Sequence, residues 1–98
     1  MKLSWFDASE AQEFGKTLAH FLIERLPLNS PKKKDKTIEK QQEVVLKLFS
    51  QITTFKKDRS LNIYKKAKLG NAFKWELKQA GYDDEFINQL THEIMIKL

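Results

Sequence analysis

Cysteine is absent from the chain. There is therefore no disulfide framework, no thiolate metal site and no cysteine nucleophile, and the fold must be held by buried apolar surface. The same absence fits a reducing compartment, so a cytoplasmic location is the expectation. Proline occurs twice and glycine three times in 98 residues. An all-β chain needs many more turn formers, so helices are expected. No apolar run approaches the ~18–20 residues a bilayer span requires, and no transmembrane segment is expected. The opening MKLSWFDASEAQEF carries one lysine and then turns polar and acidic, unlike a secretory signal.

Recognisable catalytic patterns are scarce too. There is no G-x-S-x-G nucleophile elbow. The stretch Leu69–Phe73 has a single glycine and no phosphate-loop pattern. His20 and His92 lie 72 positions apart and neither belongs to an H-x-x-x-H or E-x-x-H spacing, so they read as surface histidines rather than ligands. Asp83, Asp84 and Glu85 form an acidic triplet. At a helix start such residues complement the helix dipole, which accounts for them without catalysis. The chain is thus read as a non-enzyme that needs no metal and no cofactor.

What is present is enough to build a core. Apolar residues make up 41% of the chain and include seven phenylalanines and two tryptophans, more large apolar groups than a disordered chain carries. Their spacing is helical. A first helix is expected from Asp7, where Asp7 and Glu10 make a D-x-x-E box flanked by Phe6 and Ala11 at staple positions. Ala11, Phe14, Leu18, Phe21 and Leu22 then form one stripe, which Pro27 ends. Gly15 lies near that stripe; glycine inside a helix costs ~1 kcal/mol relative to alanine, and one common reason to accept it is close approach of another helix. The segment from Pro27 to Lys36 is the linker. A second helix begins between Pro31 and Thr37 and fades between Lys56 and Ser60. On it Ile38, Val45, Leu48, Phe49, Ile52 and Phe55 fall within about 120° of arc. A third helix is expected from Asn62 or Ile63 to Ala80, with Gly81 as its C-terminal glycine and Ile63, Leu69, Gly70, Phe73, Leu77 and Ala80 on one face. A fourth follows, capped by Asp83, stapled by Tyr82 and Ile87, and apolar at Phe86, Leu90, Ile94 and Leu98. Four amphipathic helices in one 98-residue domain predict an all-α, four-helix bundle-like fold, its last two helices joined by a tight turn at Gly81–Asp83. Phe14, Phe21, Phe49, Ile52, Phe73 and Leu90 are expected to be mutually buried. Trp5 and Phe6 are expected to fold back over one end of the bundle.

Charge is unevenly placed. The protein is basic, net +5, but residues 30–60 carry +5 and residues 61–81 carry +4, while residues 1–29 carry −1 and residues 82–98 carry −3. The third helix also has a second stripe. Tyr64, Lys68, Asn71, Trp75 and Lys78 lie within about 80° of one another, turned more than 100° from Phe73. Aromatics between lysines are able to stack on bases while the ammonium groups meet phosphates. The plainer expectation is that Tyr64 and Trp75 cover the flank of a neighbouring helix with the lysines snorkelling around them. The lysine run Lys32, Lys33, Lys34 and Lys36 reads the same two ways, as a nucleic-acid patch or a solvated loop. Leu46, Ile23 and Ile96 fall off the main stripes and become an interface patch if they meet.

The resulting expectation is a small helical protein–protein interaction module, binding a protein partner or itself, as monomer or homodimer. The alternative is nucleic-acid binding through the basic residues 30–81. Peripheral membrane binding is weaker, because no helix opposes a strongly apolar face to a wholly basic one. Charge complementarity between the acidic ends and the basic middle is satisfied either across a dimer or internally, with Asp84 and Glu85 near Lys56 or Lys57.

Overall fold

Local capping chemistry sets the ends of the last two helices in the computed structural model, which describes residues 8–26, 34–57 and 61–98, with backbone alone for 34–38. Among the described residues there are four α-helices and no strand. They are α1 (Ser9–Arg25), α2 (Lys34–Lys57), α3 (Ile63–Gln79) and α4 (Asp84–Lys97). The protein is an all-α, four-helix bundle-like fold. At the start of α3 the Asn62 side chain accepts from the Lys65 amide at 2.8 Å. At its end the Tyr82 amide donates to the Leu77 carbonyl at 3.1 Å and the Gly81 amide to Lys78 at 3.0 Å. These are the paired bonds of a Schellman ending, which needs a residue at positive φ. Gly81 supplies it, with φ of 95°. Asp83 then caps α4, accepting from the Glu85 and Phe86 amides at 3.1 and 3.2 Å. The tight turn at Gly81–Asp83 is therefore built as its sequence implies.

The N-terminus of α1 differs from expectation. Helix α1 starts at Ser9, with Ala8 at the cap position and no side-chain cap hydrogen bond. Asp7 lies outside the described residues, as do Trp5, Phe6, Pro27, Lys32 and Lys33. Helix α2 starts at Lys34, so the last residues of the expected linker are helical.

Packing is organised by residue size. Ala11, Gly15 and Ala19 recur every four residues on α1 and are all buried. Interaxial distance depends on the side chains at the contact, so this small-residue ridge lets α3 come close. A Cβ built on Gly15 would overlap the carbonyl oxygen of Leu69 and lie 3.1 Å from the Cβ of Ala72. Helix α3 accordingly packs most extensively on α1 and next on α4, while α2 packs on α1 and α4 but not on α3. Large side chains fill the wider α1–α2 gap, where Phe14 and Phe55 stack with ring centroids 4.0 Å apart. The turn after α3 is tied to the end of α1, because the Tyr82 hydroxyl donates to the carbonyl of Leu26.

The core comprises Leu18, Leu22, Val44, Leu48, Ile52, Phe55, Leu69, Phe73, Leu77, Tyr82, Ile87, Leu90 and Ile94, with small contributions from the α1 ridge. Three of the six expected core centres, Ile52, Phe73 and Leu90, belong to it. Phe14, Phe21 and Phe49 are instead half-buried at its margin. The small-residue ridge takes the central face of α1, so its phenylalanines turn to the flanks. There Arg25 lies over the Phe21 ring at 4.6 Å and Lys97 over the Phe49 ring at 5.1 Å. On α2 the buried valine is Val44, not Val45, and on α4 Ile87 takes the inward position while Phe86 stacks on Tyr82. Ile63, the first residue of α3, is 85% exposed and so does not join the Phe73 face in the core. Ile23 is half-buried against the core, whereas Leu46 and Ile96 are exposed. No helix of the described residues is long and apolar enough to cross a membrane.

Candidate interaction surface

Among the described residues, α3 is covered on two sides, by α1 and α4. Gly15 of α1 approaches its backbone at Leu69 and Ala72, and the thioether of Met95 on α4 packs against Gly70. At 100° per residue these two contact lines flank Phe73, which is fully buried. Among the described residues no helix packs over the face opposite Phe73. That face carries the stripe of Tyr64, Lys68, Asn71, Trp75 and Lys78. Trp75 is 59% exposed and Tyr64 38% exposed. Trp75 therefore leaves more than half of its surface open to solvent, while its remaining surface borders a groove shared with Asp84, Ile87 and Asn88 of α4.

The five residues divide into two places. Tyr64 and Lys68 sit near the start of α3, with the Lys68 ammonium 5.5 Å from the centre of the Tyr64 ring. Asn71, Trp75 and Lys78 line an open groove of about 570 Å³ along the later half of α3. Lys74 joins them from α3, and Asp84, Ile87 and Asn88 close the groove from α4. Ile87 is buried and the other groove residues are exposed. Lys78 and Asp84 face each other across the groove at 3.7 Å.

The α4 side was missed in the sequence, although a signal for it was present. A four-residue connection, Ala80 to Asp83, forces the first turn of α4 beside the last turn of α3, which pairs position 78 with position 84. The charge arrangement is corrected accordingly. Asp84 pairs with Lys78 and not with Lys56 or Lys57, while the Lys56 ammonium donates to the Lys97 carbonyl at 2.7 Å.

Little else converges. His20 Nε2 lies 3.0 Å from Glu76 Oε1, an exposed contact that draws the one acid of α3 towards α1 and away from the lysine stripe. Among the described residues no three His, Asp or Glu side chains gather in a way that would hold a metal ion. A second open groove lies between α2 and α4, lined by Gln41, Gln42, Val45, Leu46 and Glu93. Comparison with family models, with curated proteins and with solved structures finds no match.

Proposed function

We propose that this chain is a non-catalytic protein–protein interaction module that docks its partner on the outer face of α3. The observation that carries this reading is Trp75, exposed at 59% on a rigid helix beside a groove with a buried isoleucine as its floor. Tryptophan loses little conformational freedom on binding and is over-represented among the residues that dominate interface energies. Lysines and asparagines around it supply the polar rim that interfaces use for register.

The second reading, nucleic-acid binding, is favoured by the five lysines of α3. Two features count against it. The Lys68 ammonium lies over the Tyr64 ring, on which a base would otherwise stack. Asp84 neutralises Lys78, and Asp83 and Glu85 beside it repel phosphate.

Site-specific photo-crosslinking in cells separates the two. With the photoreactive residue benzoylphenylalanine in place of Trp75, protein adducts form; in place of the exposed Glu13 on α1, they do not. Equal labelling at both positions overturns the reading. Titration of single- and double-stranded oligonucleotides at low salt gives no binding. Binding that falls steeply with salt and is lost in Lys68→Glu/Lys78→Glu establishes nucleic acid instead.

A further inference from the structure

We propose that the partner on this face is a second copy of the chain, docked about a two-fold axis that runs between α3 and α4, parallel to both. The inference rests on the interaction-module reading and adds its occupant.

The argument is one of symmetry and register. Two contacts, Lys78 with Asp84 and Gly70 with Met95, show that α3 and α4 lie side by side and antiparallel. Along this pair, position 78 is level with 84 and position 75 with about 87. The face therefore has a cationic stripe on α3, with Lys74 and Lys78, and an anionic start on α4, at Asp84, with the apolar groove between them. A two-fold axis lying in the interface and parallel to the helices exchanges the stripes. The α3 of one copy then sits over the α4 of the other, at the same height.

Lys78 of each protomer thus meets Asp84 of its partner, and the two intrachain pairs become a square of alternating charge. Trp75 of each protomer meets the level of Ile87, the buried floor of the partner's groove. An isologous interface needs this property: the contact from i to j must serve equally from j to i. A face of one sign does not have it, since like charges directly opposed are unfavourable.

Two helices side by side cover ~20 Å by ~25 Å at these lengths, about 500 Å² per copy and about 1,000 Å² in total, at the lower bound for a specific interface. Lys74 has no ion-pair partner among the described residues and lies within reach of the partner's Asn88. The interface is thus centred on two tryptophans with a polar rim, so salt weakens it only modestly. Exposed pairs are screened, while apolar burial is not.

Sedimentation velocity on the purified chain, from low micromolar to near-millimolar concentration, tests the proposal. Wild type forms a dimer, and Trp75→Ala raises the dissociation constant about a hundredfold or more, as loss of two central anchors implies. Lys78→Glu alone and Asp84→Lys alone each weaken self-association about tenfold, because both place like charges together across the axis. Mixed in equal amounts, these two variants form a heterodimer in which every stripe again faces its opposite, and affinity recovers. Circular dichroism confirms that each variant remains folded; Trp75 and Lys78 are exposed, and Asp83 retains the cap of α4. A wild type that stays monomeric, a dimer indifferent to Trp75→Ala, or a mixture no tighter than its components each overturns the second-copy assignment. If the chain stays monomeric while the crosslinker at position 75 captures a different protein, the module reading stands and only its occupant changes.

Discussion

Replacing Gly15 by alanine sets two opposing effects against each other, and the structure decides between them. In the interior of a helix, alanine is favoured over glycine by about 1 kcal/mol, partly through the unfolded chain. On propensity alone the variant is stabilised. The added methyl, however, falls on the carbonyl oxygen of Leu69 and within 3.1 Å of the Ala72 Cβ. Neither is the end of a flexible side chain, so the backbones of α1 and α3 have to part. Overpacking of this kind costs ~1–3 kcal/mol. Parting the helices by ~0.5–1 Å also forfeits a quarter to a half of the dispersion energy across the gap, where Ala11, Leu18, Ala19 and Leu22 are buried. The net expectation is destabilisation by ~2 kcal/mol, a fall in Tm of ~10 °C for a domain of this size. Gly70→Ala is the internal control. Its methyl meets the Met95 sulfur at 2.9 Å, and a methionine side chain has three torsions with which to move. There the propensity gain survives, and Tm is unchanged or rises by several degrees. Thermal and urea unfolding followed by far-UV circular dichroism read both variants. A Gly15→Ala protein as stable as wild type refutes the close α1–α3 approach, and equal losses at both glycines refute the distinction between backbone and thioether contact.

Three further outcomes are expected. Phe73→Ala costs ~3–5 kcal/mol, whereas Phe49→Ala, at the half-buried margin, costs about half as much; urea midpoints rank them, and equal losses would place Phe49 in the centre after all. Asp83→Ala removes the acceptor for two α4 amides and lowers stability by ~1 kcal/mol without changing the urea m-value, whereas an unchanged midpoint contradicts the cap. Burial raises the Tyr82 hydroxyl above its ordinary value of 10.0. The folded protein therefore keeps this proton after the unfolded chain has lost it, so its contribution is complete below pH ~10 and is lost as pH rises through the folded value. The difference in stability between wild type and Tyr82→Phe shrinks over that range, and a difference that does not vary with pH contradicts the assignment.

How much was legible depended on whether a residue's role is local. The Asn62 cap, the Gly81 turn and the Asp83 cap involve neighbours within a few positions, and their residue types announce them. The helices themselves follow from periodicity. The exact inward direction did not. Phe14, Phe21 and Phe49 are central in the stripes of their helices, and that position argued for the core. On α1 the centre went instead to Ala11, Gly15 and Ala19, because close helix contact rewards small groups at the crossing. On α2 it went to Val44, Leu48, Ile52 and Phe55, with Val45 and Phe49 at the margin. For the candidate surface, the α3 stripe was readable from spacing, but its α4 wall was not assembled, since Asp84, Ile87 and Asn88 gain their meaning only beside Lys78.

The α1–α3 pairing also bears on how the chain reaches its fold. Gly15 and Leu69 are 54 positions apart, and all of α2 lies between them. Helices α3 and α4, by contrast, are joined by four residues and can pair almost as soon as they form. The close approach of α1 to α3 therefore carries a large loop-closure entropy to overcome before it is rewarded. A helical protein rich in neighbour contacts folds quickly, and this one places a close seam at long range, which slows the search. In that order of events the α3–α4 hairpin is early and the docking of α1 is late. Substitutions on the small-residue ridge then act mainly by speeding unfolding, and those at the Gly81–Asp83 turn by slowing folding.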